Sequence, residues 1–325
     1  MRLRTLWIPL LAVMLAACGQ SPGQKAAPEA KTAGVDMAAL SKQLHARIER
    51  APGTVAVDLI DLGNGAHLGI NQDVTMHAAS TMKVPIMLEL FRQADAGRFS
   101  LDDDIEVRNQ FTSLADGSTY SLPSSSDSEK KLYDKVGDKL PIRNLLQRMI
   151  TRSSNLATNN LIELVGPKQV EKTMLAIGAD GMHVRRGVED LKAYRKGINN
   201  RTTAAALGRI MAVIARCADP ESGFKFTGRL ASLDTRSCRD MKDILLAQHF
   251  NTMIPAGLPE GVPVAHKTGS ITKIHHDAAI VYPEGRAPYV LVVMTHGIAD
   301  PDRSAAVAAD ISHIVWQALV GAGQG

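Results

Sequence analysis

Serine and lysine side chains recur in this sequence at spacings that suit nucleophilic catalysis. Ser80 and Lys83 are three residues apart, so on a helix they share a face. A lysine amine that burial or a nearby cation keeps neutral can take the proton of a serine hydroxyl. The Ser-x-x-Lys pattern is weak alone, because it also begins at Ser128, Ser222 and Ser270. Ser80 differs in opening an apolar helix directly after a predicted β-hairpin, where free backbone N–H groups can face an anion.

Two further short motifs carry hydroxyl, amide and amine groups. Ser153-Ser154-Asn155 lies between two predicted helices, and Lys267-Thr268-Gly269 follows a predicted short strand. Each motif has a plainer structural explanation when it is taken singly: a helix start, a helix N-cap or a turn at the end of a strand. Their occurrence together and in this order favours a shared site.

The elements that must position these motifs follow from hydrophobic periodicity. Alternation over 54–61, an Asn64-Gly65 turn and a strand over 66–70 predict a hairpin. Helical patterns then dominate from Ser80 to about residue 255. The predicted helices are 37–50, 80–92, 142–150, 155–164, 168–175, 203–216, 239–250 and 301–319, and the later strands are 262–266, 276–282 and 288–295.

Strands at both ends of the chain and helices between them predict an α+β fold. Strands remote in sequence must form one antiparallel sheet, flanked by the terminal helices. We expect an α/β lobe from about 36–79 and 256–325, and a helical lobe from about 80–255. A cleft between two such lobes is a natural place for an active site.

The N-terminus has the features of an export signal. Arg2 and Arg4 precede an apolar run of 12 residues, and small residues follow it. We interpret residues 1–17 as a signal peptide rather than a buried helix. Residues 18–35 follow as a flexible tether and 36–325 as the folded domain. Leu15-Ala16-Ala17-Cys18 resembles a bacterial lipobox, which implies lipidation of Cys18 and anchoring on the periplasmic side of an envelope membrane, the outer rather than the inner one.

Cys217 and Cys238 are the other two cysteines of the chain. An even number of thiols in an exported protein favours a disulfide over two separate buried thiols.

The three motifs together resemble those of serine β-lactamases and penicillin-binding proteins, class A β-lactamases in particular. Segments 149–157, 267–270 and 278–288 extend the resemblance. It implies that Ser80 attacks an amide carbonyl and that Lys83 takes or relays its proton. By the same resemblance, Ser153 protonates the leaving nitrogen, while Lys267 holds Ser153 and supplies positive potential. The remaining implied groups bind substrate: Asn155, Thr268, Gly269, Ser270 and, near the position of a usual arginine, His275 and His276.

Several positions depart from the class A pattern. Ser154 stands where an Asp is usual, which predicts a different local hydrogen-bond arrangement. Glu189 is the candidate base for deacylation, although it could also be a solvated loop carboxylate. The Asn expected four residues later is absent, because Ala193 stands there, so Asn199 or Asn200 could help to hold the water.

The composition of the chain limits the classes of molecule that it is expected to bind. A formal net charge of +4 over 325 residues gives no reason to expect nucleic acid. No His, Asp or Cys pattern predicts a metal, and no cofactor is expected. We expect a monomer that acts on a small β-lactam or a peptidoglycan peptide. The alternatives to a β-lactamase are a DD-peptidase or penicillin-binding protein, and a non-catalytic envelope lipoprotein on a hydrolase scaffold.

Overall fold

The computed structural model describes residues 35–222, 225 and 227–321. The predicted signal peptide, Cys18 and nearly all of the predicted tether therefore lie outside the described residues. The helices are α1 Met37–Ile48, α2 Lys83–Asp95, α3 Ile142–Thr151, α4 Asn155–Val165, α5 Pro167–Ala176, α6 Leu191–Arg195, α7 Ala204–Ala218, α8 Thr235–Leu246 and α9 Pro301–Leu319. The strands are β1 Thr54–Asp61, β2 His67–Ile70, β3 Met76–His77, β4 Asp104–Glu106, β5 Phe111–Thr112, β6 Thr119–Tyr120, β7 Lys139–Pro141, β8 Arg201–Thr202, β9 Val264–Ile271, β10 Ile274–Val281 and β11 Tyr289–His296.

One five-stranded sheet joins the two ends of the chain, as predicted. Its order is β2-β1-β11-β10-β9, and every pair is antiparallel. β1 pairs with β11 along its whole length, from Thr54 opposite His296 to Asp61 opposite Tyr289. β9, which carries the Lys267-Thr268-Gly269 motif, is an outer strand, so within the part of the chain that the structure describes one of its edges has no partner strand.

The two faces of the sheet bury separate apolar clusters. On one face, Leu40, Leu44 and Val307 from the terminal helices α1 and α9 pack with Val57 and Leu291 of the sheet. On the other face, the sheet joins the large core of the helical region. α7, which belongs to the predicted helical lobe, packs directly on β1, β10 and β11. Its buried small and branched residues allow this close approach.

The segment that holds Ser80 is fixed between the sheet and the helices. Ala79–Met82 forms a 3₁₀ turn that contacts β9, and α2 continues directly from it. Eleven of the residues of α2 are buried, including Lys83, so this helix runs through the middle of the helical region. Among the described residues, no helix combines the length and the apolar character needed to cross a bilayer.

The predicted disulfide is confirmed. Cys217 in α7 and Cys238 in α8 are bonded, with their Cα atoms 5.7 Å apart. Both cysteines are buried in the core that α7 shares with α8. The bond therefore ties two helices that pack on the sheet and beside β9.

Removal of this disulfide should destabilise the fold without touching the motif residues. In a Cys18→Ser background, the double variant Cys217→Ala/Cys238→Ala should lower the free energy of unfolding by about 2–4 kcal/mol, since the bond closes a loop in the unfolded chain. Denaturant unfolding under oxidising conditions measures this difference. An equal loss of stability on adding reductant to the parent protein is the matching control, and a parent that ignores reductant would contradict the expectation.

Candidate active site

Ser80 lies on a strained turn that presses against β9. Ala79, directly before it, adopts a left-handed φ of 46°, which is costly for a residue other than glycine. The imidazole Nδ1 of His77 accepts a hydrogen bond from the Ala79 backbone N–H at 3.0 Å and helps to hold this conformation. Gly269 of β9 faces the turn: a Cβ there would lie 2.9 Å from the backbone nitrogens of Ser80 and Thr81. The lack of a side chain at Gly269 therefore allows the backbone of β9 to approach the backbone of the Ser80 turn closely.

Two buried lysines meet at Ser153. Lys83 Nζ donates to Ser153 Oγ at 3.1 Å, to the Ser153 carbonyl at 2.6 Å and to Asn155 Oδ1 at 2.9 Å. Lys267 Nζ donates to the same Ser153 Oγ at 3.1 Å and to the Thr268 carbonyl at 2.7 Å. The structure thus brings together four of the predicted site residues: Lys83, Ser153, Asn155 and Lys267.

Burial favours the neutral form of both amines. Lys83 and Lys267 are fully buried, and among the described residues no carboxylate lies within ion-pair distance of either amine. Desolvation lowers the pKa of Lys83 well below its ordinary value, and the charge of Lys267 lowers that pKa further. Desolvation also lowers the pKa of Lys267 to about 7, while Asp277 opposes this shift. A neutral Lys83 can accept a proton at moderate pH.

Asp127, which sequence reasoning missed, supplies the carboxylate that the middle motif lacks. It comes from the Ser-rich loop before α3, and its Oδ2 accepts hydrogen bonds from the backbone N–H groups of Asn155 at 2.8 Å and Leu156 at 2.9 Å. The Ser154 hydroxyl also donates to Oδ2 at 3.3 Å. The Asp127 carboxylate therefore binds the free N–H groups at the start of α4, as an N-cap would. The hydrogen-bond arrangement at Ser154 thus differs from the usual one in that the carboxylate comes from Asp127 and not from the motif itself.

Helix α4 also orients the segment before Glu189. Asn155 and Asn159 lie one turn apart on the same face. Asn155 binds Lys83, and Asn159 holds Val188 at both its N–H, at 2.7 Å, and its carbonyl, at 3.0 Å. The spacing of four residues between the two asparagines is a signal in the sequence that could have identified Asn159.

Glu189 lies close to the site with a left-handed φ of 59°. It is half-buried, and its Oε1 accepts a hydrogen bond of 2.7 Å from the Ser126 hydroxyl. Ala193 is buried, and its backbone N–H binds Asp190, so this position contributes no side chain to hold water.

Of the two candidate asparagines, Asn200 is the one in contact with the Glu189 segment. It binds the backbone N–H groups of Arg185, at 2.8 Å, and Arg186, at 3.1 Å. Its amide nitrogen lies 2.9 Å from the Met82 sulfur, so Asn200 connects this segment to the Ser80 turn.

The predicted carboxylate-binding residues divide into two groups. Ser270 is exposed in the cavity, and His275 Nδ1 lies 3.3 Å from its hydroxyl. Thr268 is buried. His276 does not reach the cavity: it is fully buried, its Nε2 bonds the His77 carbonyl at 3.0 Å, and its Nδ1 accepts from the Thr295 N–H at 3.3 Å. Successive side chains of β10 point to opposite faces of the sheet, so only one of the two histidines can accompany Ser270.

A cavity of about 570 Å³ collects the groups that could meet a substrate. Five of the residues that line it are Ser80, Ser126, Asn155, Glu189 and Ser270. A larger groove of about 870 Å³ between α3 and α8 is lined mainly by charged and polar side chains and holds none of the three motifs. Size alone therefore does not locate the site. The smaller cavity is lined by Ser80 on its strained turn and by Asn155, which binds Lys83, one of the two buried lysines that meet at Ser153.

Comparison with known proteins places this arrangement in a family. Residues 39–319 match the model of the beta-lactamase enzyme family. Beta-lactamase L2 of Stenotrophomonas maltophilia is 27% identical over 95% of this chain and 92% of its own length. An ancestral class A β-lactamase (TM-score 0.71, 26% identity) covers 86% of this chain and all of its own. PBP-A (TM-score 0.71, 26% identity) covers 87% of this chain and 96% of its own, and a PBP-A variant is described as an acyl-enzyme complex with penicillin G.

The chain therefore belongs to the beta-lactamase enzyme family, with relatives among the class A enzymes at about one quarter identity. The fold is the α+β fold of that family, as predicted.

The contact between Asp127 and α4 can be tested through the pH dependence of acylation. The Asp127 carboxylate raises the pKa of Lys83, so Asp127→Asn should lower that pKa further. Because only neutral Lys83 accepts a proton, the ascending limb of the acylation rate should move to lower pH. Stopped-flow acylation with a fluorescent penicillin measures this shift. Asp134→Asn, an exposed position in the next 3₁₀ turn, is the control, and an unmoved limb in Asp127→Asn would contradict this electrostatic role.

One buried and one half-buried imidazole should make the fold sensitive to mild acid. Desolvation lowers the pKa of both His77 and His276 to about 4, so the folded protein keeps them neutral. The unfolded chain protonates them near pH 6.5. Its greater proton uptake means that the free energy of unfolding should fall as pH drops from about 6.5 towards 4. Denaturant titrations at pH 7 and pH 5 measure this loss. His276→Gln should lose part of the pH dependence, and an unchanged slope would refute the contribution of His276.

Proposed function

We propose that this protein hydrolyses the amide bond of β-lactams through an acyl-enzyme on Ser80. The observation that carries the proposal is the convergence of two fully buried amines, from Lys83 and Lys267, on the hydroxyl of Ser153. A fold without catalysis has no need to bury two amines beside one hydroxyl, because each costs desolvation energy. Family membership supports the same chemistry.

Acylation uses the groups that are most firmly held. When Lys83 is neutral it keeps two of its three donated hydrogen bonds, and its lone pair takes the Ser80 proton as Ser80 Oγ attacks the carbonyl carbon of the substrate. We assign the oxyanion to the backbone N–H groups of Ser80 and Ser270, which line the cavity from the 3₁₀ turn and from the outer strand β9.

Ser153 is suited to protonate the leaving nitrogen. Its oxygen accepts from both lysines, which leaves its own O–H free to donate. Its left-handed φ of 57° and its place directly before the N-terminus of α4 hold this hydroxyl in position. A carboxylate on the substrate would bind Ser270, whose hydroxyl is near His275, with Lys267 adding positive potential. Burial lowers the pKa of His275, so this imidazole supports Ser270 as a neutral partner.

Deacylation is assigned to Glu189 as the base that activates water. Its carboxylate lines the same cavity as Ser80, and its backbone follows Val188, which Asn159 holds.

A second candidate is a penicillin-binding DD-peptidase that acylates but hydrolyses the acyl-enzyme slowly. The observation that favours it is the residue four positions after Glu189: Ala193 offers no side-chain amide to hold a water. The similarity to PBP-A points the same way. In this case the acyl donor would be a peptidoglycan stem peptide.

The site of action is proposed to be the periplasmic side of an envelope membrane, with the chain anchored through lipidated Cys18 and acting as a monomer. The disulfide between Cys217 and Cys238 supports an oxidising compartment. Mass spectrometry of membrane-extracted protein should find a diacylglyceryl group on Cys18. An intact Met1 in a cytoplasmic fraction would exclude the anchor.

Glu189→Gln separates the two candidate functions. The variant keeps acylation but cannot take a proton from water, so deacylation should slow by about 10²–10⁴-fold, a typical value for general-base help. A covalent adduct on Ser80 should then accumulate and be visible by intact-protein mass. Turnover of a chromogenic cephalosporin by the unmutated protein is the reference.

Ser80→Ala, which should neither label nor turn over, controls for adducts elsewhere. An unmutated protein that retains penicillin for hours would favour the penicillin-binding role. Unchanged turnover in Glu189→Gln would mean that another group activates the water. Labelling of Ser80→Ala, or of Ser128, Ser222 or Ser270, would overturn the assignment of the nucleophile.

A further inference from the structure

We propose that Ser126 is a positioning residue for deacylation, whose hydroxyl holds the Glu189 carboxylate in the orientation that activates water. This inference rests on the proposed function. The Ser126 Oγ lies 2.7 Å from Glu189 Oε1, although the two residues are 63 positions apart in the chain. Both line the cavity that contains Ser80.

The backbone around Glu189 is held independently of Ser126. Asn159 holds Val188 on one side, as described above. On the other side, the Asp190 carboxylate accepts from the Ser113 hydroxyl at 2.7 Å and from the Leu114 N–H at 2.9 Å. These contacts fix where the Glu189 Cα lies, but they leave the direction of its side chain open.

The carboxylate itself has one recorded hydrogen-bond donor among the described residues, the Ser126 hydroxyl. Ser126 Oγ also lies 3.1 Å from the Pro123 carbonyl, but its single proton is better placed towards the nearer, charged oxygen. With Oε1 occupied in this way, the lone pairs of Oε2 remain available for a water.

Ser126 is a suitable anchor because its own position is fixed by the site. The next residue, Asp127, is buried and holds the start of α4 through Asn155 and Leu156. A movement of Ser126 would therefore require a movement of Asp127. The short turn 124–126 thus connects the group that binds Lys83, Asn155, to the group that binds water, Glu189.

The chemical step balances within the site. Glu189 takes a proton from water as the water oxygen bonds to the acyl carbon. The ester bond to Ser80 then breaks, the proton passes to Ser80 Oγ, and the acid product leaves. Loss of the Ser126 hydroxyl leaves every proton donor and acceptor of this step present, so its effect is on the orientation of the carboxylate.

The experiment measures acylation and deacylation separately with a chromogenic cephalosporin and intact-protein mass. Ser126→Ala should slow deacylation by about tenfold or more, the scale of one hydrogen bond to a charged group, while acylation stays within about twofold. Ser126→Thr, which keeps a hydroxyl, should restore most of the rate. Ser125→Ala changes a neighbouring exposed serine of the same turn whose side chain makes no hydrogen bond to any described residue, so it should behave like the unmutated protein.

A double-mutant cycle shows whether Ser126 acts through Glu189. In a Glu189→Gln background, Ser126→Ala should have little further effect, because the group that it positions no longer works as a base. Two outcomes would overturn the proposal. In the first, Ser126→Ala slows deacylation equally in both backgrounds. In the second, Ser126→Ala leaves the deacylation rate unchanged in both backgrounds, although Glu189→Gln alone slows it. Failure of the unmutated protein to acylate would instead refute the proposed function, so the two failures are distinguishable.

Discussion

The desolvation of two lysines beside one serine is the constraint on which the rest of the site depends. An ammonium ion removed from water without a carboxylate partner loses more solvation energy than a few neutral acceptors return. Lys83 and Lys267 meet this situation with five hydrogen bonds to oxygen, two of them to Ser153 Oγ. Two ammonium charges next to the same hydroxyl also repel each other, so the site favours states in which one amine is neutral. That is the condition under which a lysine can serve as a base at moderate pH.

Several backbone positions around these amines adopt conformations that are energetically unfavourable for residues other than glycine. Ala79, Ser153, Glu189 and Lys273 all have positive φ without being glycine, and three of them are next to or within the proposed machinery. Such residues persist only when their surroundings over-determine them. Here the surroundings are identifiable: His77 binds the Ala79 N–H, and Asp127 binds the start of α4 directly after Ser153.

The sequence alone was sufficient to predict the sheet, most of the helices, the disulfide and the residues that meet at Ser153. The sheet and the helices follow from periodicity, and the disulfide follows from an even number of thiols in a chain expected to be exported. The residues at Ser153 follow from three short motifs and the family resemblance that they carry together. Asp127 and Ser126 were missed because each acts on partners at least 27 residues away, from a loop that no local spacing marks. Asn159 was missed although its spacing from Asn155 marks it, because its partner Val188 is 29 residues away. His276 was assigned to substrate although a strand turns successive side chains to opposite faces. Ser270 and His275 share one face of the sheet, and His276 is buried on the other. The alternation of side chains along a strand therefore already indicated that only one of the two histidines accompanies Ser270.

The groups proposed for acylation and the group proposed for deacylation are held by different parts of the fold. Ser80, Lys83, Ser153 and Lys267 sit at the ends of helices and on a strand, and each is held by the sheet or by the buried start of a helix. Glu189 instead lies in an irregular segment, where its backbone depends on Asn159, Asp190 and Asn200. A change in that segment can therefore remove or restore water activation without disturbing the nucleophile. The hydrogen bond between Ser126 and Glu189 joins that segment to the loop before α3, so the proposed positioning role acts on deacylation and leaves the nucleophile in place.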